Sequence, residues 1–335
     1  EPGMALAYAV FIAGLCQLLF QLPFLLRIRA MPRPKWAPAH AGVKRVMTLM
    51  LPAIFGSSVA QVNVLIGGII ASMLGVGKIS LLYYSDRLME FPLGLFGIAL
   101  ATVTLPYLSR QWSNKAYDDF SATLDWSMKL VLLIAVPAAL GLILLAEPLV
   151  ATIFYGGVFT GDDVRMTALA LQAFALGLVG FSYVKILAPA FFAREDTKTP
   201  VKIGLIALAV NFVLSVALAW YLTAIGFAGS HAGLALAISV AALLNAALLY
   251  RGLLRDGVLR HSSGWGLLLL RALAANAVMW GILDRLERPL AWWLDAGVLD
   301  RAAWLGVSVL AGAGVYFGIL FALGLRSGQL GIRPH

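Results

Sequence analysis

The stretch Tyr83-Tyr84-Ser85-Asp86-Arg87-Leu88-Met89-Glu90-Phe91-Pro92 sets three ionisable side chains into the opening of an otherwise apolar run. On a helix Arg87 and Glu90 stand three residues apart and Asp86 and Glu90 four apart, so the trio shares a face and can pair internally. A charge at membrane depth costs at least about 2.5 kcal/mol unless it faces a wet cavity or a partner. One reading is an interfacial helix end whose charges snorkel to water, with Tyr83 and Tyr84 as belt aromatics. The other is an aqueous cavity. Ser57 and Gln61 favour the second, because they lie four apart on the preceding apolar run with Asn63 close by, giving two successive helices a polar stripe each.

Lys185 lies four residues before Pro189 near the end of another apolar run, where it can either snorkel or face the same cavity. Arg271 sits early enough in its run for snorkelling to account for it. The signals for enzymatic chemistry are poor. The four histidines His40, His231, His261 and His335 are scattered, without the His-Glu-x-x-His spacing that holds zinc. Gly75-Val76-Gly77-Lys78-Ile79 glances at a phosphate loop, but Ser72 and Ile79 occupy the positions where a Walker motif needs Gly and Ser or Thr, so a tight turn is expected. Cys16, the single cysteine, excludes an internal disulfide and is expected to be a small buried thiol. The Gly314 to Gly318 spacing permits close helix contact, a pattern that also arises by chance in glycine-rich runs. No cofactor is called for.

These residues must be positioned by helices in lipid. A hydrophobic fraction of 61% with only 12% charged residues and a mean hydropathy of +0.90 leave too little polar surface for a soluble globule of this length. The net charge of +9 could suggest nucleic acid. The basic residues, however, fall in short loops between apolar runs, which reads as topology and attraction to anionic headgroups. Since a bilayer core of about 30 Å needs roughly 20 apolar residues, the chain is expected to be an all-α integral membrane protein of about nine spans. They are placed at Met4 to Leu26, Met47 to Leu74, Leu82 to Leu108, Trp126 to Ala146, Val164 to Pro189, Val201 to Ile225, His231 to Leu254, Trp265 to Leu283 and Ala302 to Leu325.

Lysine and arginine alternate between the loops. Arg27, Arg29, Arg33, Lys35, Lys44 and Arg45 crowd one side, as do Arg110, Lys115 and Lys129, then Arg194, Lys198 and Lys202, then Arg251, Arg255 and Arg260, with Arg326 and Arg333 at the end. The opposite loops hold few basic residues or dilute them with acids. Positive loops stay in the cytoplasm, so the expected N-terminus is periplasmic and the C-terminus cytoplasmic. A chain that opens outside on Glu1-Pro2-Gly3, without a signal peptide, is expected to start mid-protein. The proline-rich basic stretch between the first two runs reads as a linker. The expected organisation is a leading helix at 1–28, a cytoplasmic linker at 29–46, a six-helix lobe at 47–255 and a final helix pair at 264–326.

Three stretches resemble the lipid II flippases of the MurJ or MviN family, within the superfamily of multidrug and oligosaccharidyl-lipid exporters. They are Tyr83 to Pro92 with Gly94, Gly97 and Leu105-Pro106; the loop Tyr155-Gly156-Gly157-Val158-Phe159-Thr160; and Val184-Lys185-Ile186-Leu187-Ala188-Pro189 through Asp196-Thr197-Lys198-Thr199-Pro200-Val201-Lys202. The resemblance implies a fourteen-helix, two-lobe transporter of the bacterial inner membrane, of which this chain matches helices six to fourteen. It departs from the family in lacking the first five, which carry several cavity arginines. It further implies that Arg87 and Lys185 belong to a cationic cavity set meeting the substrate's diphosphate. Asp86 and Glu90 would orient Arg87 or gate, and Ser80 would line the cavity beside Glu90. The last helix pair would form a lipid groove. The implied partners are lipid II, membrane lipids and the cell-wall synthesis machinery. A planar guanidinium fork inside a low-dielectric wall suits a diphosphate on physical grounds alone.

The leading expectation is therefore translocation of an undecaprenyl-diphosphate-linked peptidoglycan precursor by alternating access. Export of another polyprenyl-linked sugar, of O-antigen or capsule type, stays open. A membrane-embedded glycosyltransferase would need a large acidic outside loop. Asp162-Asp163 and the stretch from Asp284 to Asp300 are too short for that.

Overall fold

In hydrocarbon every backbone N–H and C=O must find its partner within the protein, which leaves an apolar run little choice but a helix. The computed structural model describes residues 2–28 and 40–325, without the side chains of 51–60 and of scattered positions such as Asn63. The Ser57 side chain, most of the expected linker, Arg326 and Arg333 thus lie outside the described residues. The helices are α1 (Pro2–Arg27), α2 (Ala41–Met73), α3 (Lys78–Pro92), a π-helical segment (Leu93–Ile98), α4 (Ala99–Ser113), α5 (Tyr117–Leu144), α6 (Ala146–Phe154), α7 (Gly161–Ala175) and α8 (Leu178–Phe192). They continue with α9 (Lys198–Ala224), α10 (Ala232–Arg255), α11 (Trp265–Leu286), α12 (Leu290–Asp295) and α13 (Val298–Ala322). All nine apolar runs are helical. Among the described residues six single helices are long and apolar enough to cross a membrane, or seven crossings with α7 and α8 taken as one span bent by 41°. The second run contributes the apolar stretch Val64–Met73, and the third is divided by the π segment that follows Pro92.

The chain divides into two compact units, residues 1–55 and residues 56–335. The first holds α1, whose side chains are almost all exposed, Cys16 included. The expected burial of that thiol is corrected: among the described residues Cys16 is exposed.

In the second unit α5 is the element on which most others rest. Leu124, Met128 and Val131 pack with Leu108 of α4, Ile186 and Phe191 of α8, and Leu249 of α10. A second cluster joins Val150 of α6, Val164 and Leu171 of α7, Met89 of α3 and Trp293 of α12. A third sets Leu133 of α5 against Leu268, Ala275 and Met279 of α11 and Tyr316 and Leu320 of α13. There the Tyr316 hydroxyl donates to the Leu133 carbonyl at 2.8 Å. The buried row on α13 is Ser308, Gly312, Tyr316 and Leu320, spaced by four. Gly314 and Gly318 lie off that row with no neighbouring atom in reach among the described residues, so they are not the helix contact their spacing permits.

The α7–α8 bend has a steric cause. A Cβ on Gly177 would come within 2.7 Å of the Ser239 Cα, and one on Gly180 within 2.7 Å of the Leu243 backbone nitrogen. Two glycines thus let α8 approach the α10 backbone as no other residue could, and the chain turns where it does so.

Candidate functional site

Helix α3 shows how the ionisable trio is placed. Its buried residues are Leu81, Ser85 and Met89, one row at a spacing of four. Ser85 is fully buried, and its hydroxyl lies 2.8 Å from the Thr167 carbonyl of α7. At 100° per residue, fixing that row against α7 turns Ser80, Tyr83, Arg87 and Glu90 to the opposite face, where all four are exposed. Arg87 Nη1 donates to Glu90 Oε2 at 2.7 Å, and both side chains stay about half exposed, at 55% and 50%. The Arg87 guanidinium also lies 4.8 Å from the Tyr83 ring centroid. Tyr83, expected as a belt aromatic, is thus a platform for the cation. Asp86 stands between the two faces, half-buried, and makes no ion pair among the described residues. A carboxylate on one side and an aromatic ring below hold the guanidinium, while its remaining N–H donors stay available to an anion.

Lys185 is exposed on α8. Its stem runs beside the π segment, 3.9 Å from where a Gly97 side chain would begin. Arg87 lies ten residues before Gly97, a separation of roughly 15 Å along a helix. The two cations therefore sit on different elements, each in contact with or continuous with the π segment. Gln61 is exposed, and the Ser57 side chain lies outside the described residues. The stripe they were expected to share with Arg87 stays an expectation.

The first and second stretches of the family-like sequence meet in space. Tyr84 packs its ring 4.7 Å from Phe154 and 5.7 Å from Phe159. The tight loop between those two is made by Gly156 at φ 145° and Gly157 at φ 59°, values that L side chains rarely adopt. It ends in a capping box in which Thr160 accepts from the Asp163 N–H and Asp163 accepts from the Thr160 N–H. The third stretch ends in another cap. Asp196 Oδ1 accepts from the Thr199 N–H at 3.1 Å at the start of α9. Partial burial pushes the Asp196 carboxyl up, but the Thr199 and Lys198 donors outweigh it and hold the group below the usual carboxylate range. The phosphate-loop lookalike is a turn, with Gly75 and Gly77 at positive φ and Lys78 Nζ donating to the Ala228 carbonyl at 2.8 Å.

The densest polar cluster was missed in the sequence. Asp125 on α5 is 2% exposed. Its carboxylate accepts from Ser262 Oγ at 2.5 Å, Trp265 Nε1 at 2.7 Å and Lys129 Nζ at 3.0 Å. The His261 Nδ1 lies 3.1 Å from the same carboxylate, to which it can only donate, and its Nε2 lies 2.6 Å from the Tyr250 hydroxyl. The signal was the Asp125 to Lys129 spacing of four. His261, set aside as one of four scattered histidines, is brought to Asp125 only by the fold. Ser262 bonds the carboxylate and not the imidazole, so the cluster holds no nucleophile and base in contact. Among the described residues no group of three or more His, Cys, Asp or Glu could hold a metal.

Comparisons with known proteins agree with this architecture. A solved structure titled lipid II flippase MurJ, inward closed conformation, superposes with a TM-score of 0.67 at 24% identity, over 89% of this chain and 58% of that one. An outward-facing multidrug resistance MATE family transporter of the MOP superfamily gives 0.51 at 14% identity, over 82% of this chain and 65% of that one. At these identities both speak to the fold alone. The probable lipid II flippase MurJ of Vibrio cholerae is 45% identical over 97% of this chain and 61% of its own length. The Haemophilus influenzae protein of the same description is 43% identical over 98% of this chain and 64% of its own. The lipid II flippase MurJ of Burkholderia cenocepacia is 41% identical over 97% of this chain and 63% of its own. The chain thus spans a little over three fifths of the relatives it matches. With the family model described as lipid II flippase MurJ matching residues 1–291, the chain belongs to the MurJ lipid II flippase family.

Proposed function

We propose that this chain forms part of a transporter that carries an undecaprenyl-diphosphate-linked disaccharide-pentapeptide from the cytoplasmic to the periplasmic leaflet by alternating access. The observation that carries the reading is the exposed Arg87–Glu90 pair on the open face of α3. A cation held on an aromatic ring and a carboxylate, with donors to spare, suits a diphosphate passing through a wet cavity. Ser80 and Gln61 would line that cavity with Ser57, and Lys185 would meet the substrate further along. Asp86, beside Arg87 but outside the ion pair, would orient it or gate.

The proposed organisation keeps residues 47–255 as a six-helix lobe and 264–326 as a helix pair beside it, with the bacterial inner membrane as the location. Packing of α11 on α13 and of both on α5 is compatible with this. The cell-wall synthesis machinery is the partner system such a substrate implies.

The test uses the complete protein. Arg87→Lys keeps the charge and loses the planar fork, so lipid II translocation into vesicles should slow, and Arg87→Ala should slow it further, by about tenfold or more for the loss of one charge-assisted contact. Normal translocation by a normally folded Arg87→Ala protein would leave snorkelling as the better account of Arg87.

A further inference from the structure

A second site lies away from α3. Helices α5, α8, α10 and α11 enclose a trough of about 770 Å³, within the roughly 300–1,000 Å³ typical of small-ligand sites. Its walls are apolar, among them Met128, Leu132, Leu187, Leu243, Ala247 and Leu269. Leu243 and Leu269 remain 42% and 40% exposed, so protein side chains do not fill it. Its polar groups are Tyr250, His261 and Ser262, which the Asp125 cluster fixes in place, and Tyr183, whose hydroxyl donates to the Met128 carbonyl at 3.3 Å. A long apolar trough with a polar end has the shape of an amphiphile's site. It shares α11 with the last helix pair, on which the family resemblance places a groove, but α13 contributes nothing to its lining and its other walls are α5, α8 and α10.

The charge around the polar end selects among amphiphiles. Lys129 is compensated by Asp125, Arg260 by Asp118 and Arg194 by Asp256. Arg251 and Arg255 are exposed and make no ion pair among the described residues. They continue the row of Ala247 along α10 at a spacing of four, so the row passes from the trough wall to two uncompensated guanidinium groups. Lys129 Nζ bonds Asp125 and Ser262 and lies 5.5 Å from the Trp265 ring centroid, so of its three N–H donors at most one can turn to a ligand. We propose that the trough holds an acyl chain of an anionic membrane phospholipid, with the headgroup phosphate met by Arg251, Arg255 and Lys129.

The test is native mass spectrometry of the complete protein after incorporation into vesicles of equal phosphatidylglycerol and phosphatidylcholine. The expected result is a retained phosphatidylglycerol favoured over phosphatidylcholine by about tenfold. Ala247→Trp fills the trough and should abolish retention of both lipids. Arg251→Gln with Arg255→Gln should bring phosphatidylglycerol down to the level of phosphatidylcholine. Arg87→Ala should leave retention unchanged, which separates this site from the proposed substrate cavity. Equal retention of the two lipids by the unaltered chain would overturn the proposal, as would undiminished retention by an Ala247→Trp protein of normal melting temperature. Should Ala247→Trp fail to fold, the surface arginine variant decides, and an unchanged preference in it overturns the proposal. Loss of retention in Arg87→Ala would also overturn it, by moving the lipid to α3.

Discussion

Asp125 and Arg87 show opposite ways of keeping a charge in a membrane protein. Arg87 stays half exposed with one carboxylate and one ring beside it, so its substitution should change transport more than folding. Asp125 is buried and receives donors from α5 and from the segment that leads into α11. Removing such a buried partner leaves its counter-charge and donors stranded, at a cost of roughly 3–5 kcal/mol. Asp125→Ala should therefore lower the melting temperature markedly, and Asp125→Asn, which keeps one acceptor oxygen, should lower it less. Scanning calorimetry of the two variants in one detergent checks the order; equal melting temperatures would show that the cluster contributes little. Asp196 provides a pH signature. Its carboxyl is held below the usual range by its capping bonds, so it favours the folded state above the ordinary carboxylate pKa of about 3.9, and that contribution disappears as pH falls through the lower folded value. Asp196→Asn can still cap α9 and should differ little near pH 7. It should lose less stability than the unaltered chain when the pH is taken from about 6 to about 3, as melting curves across that range will show.

Helix positions were legible because apolar length is all that lipid requires of a span, and each expected run is helical, the third and fifth in more than one piece. The interruptions were not legible. Proline is tolerated in membrane helices, so Pro92 did not announce the π segment after it, while Pro137 lies inside the unbroken α5. The α7–α8 bend depends on what α10 presents to Gly177 and Gly180, which is information about another helix. For the same reason Gly314 and Gly318 looked like a contact and Gly180, paired with no second glycine at a spacing of four, did not. The ionisable trio was legible from its spacing, and the Asp125 cluster was not, since apart from Lys129 its donors lie more than 130 residues away in sequence. Gly180 permits a sharp prediction. A methyl there meets backbone of α10, which cannot swing aside as a side chain can. Gly180→Ala should destabilise by about 1–3 kcal/mol, whereas Gly204→Ala, with open space around it, should be neutral or mildly stabilising through helix propensity. Comparing the thermal stability of the two proteins checks this, and equal effects would rule out the close α8–α10 approach.

Across the second unit, contacts sort the loops into two groups. Arg260 reaches Asp118 and Ser121 at the start of α5, Arg194 reaches Asp256, and Lys129 joins Ser262. The loops after α4, α8 and α10 therefore gather at one end, and they are the loops rich in lysine and arginine. Lys78, at the start of α3, bonds the Ala228 carbonyl before α10, and Arg301, 7% exposed, bonds the carbonyls of Ala151, Leu294 and Ala296. These segments form a second group, poorer in basic residues or diluted by acids. Segregation of charge by end is what the positive-inside rule requires, and it supports a cytoplasmic location for the Arg260 end. The prediction is made for the complete protein with its cysteines removed, Cys16→Ser among them. A cysteine at Gly77 should react with a membrane-impermeant maleimide added to whole cells, and one at Ser263 should react only after the membrane is opened. Both positions are exposed, so accessibility within the fold does not bias the comparison. The opposite labelling pattern would invert the proposed topology and with it the direction in which the Arg87 face would receive its substrate.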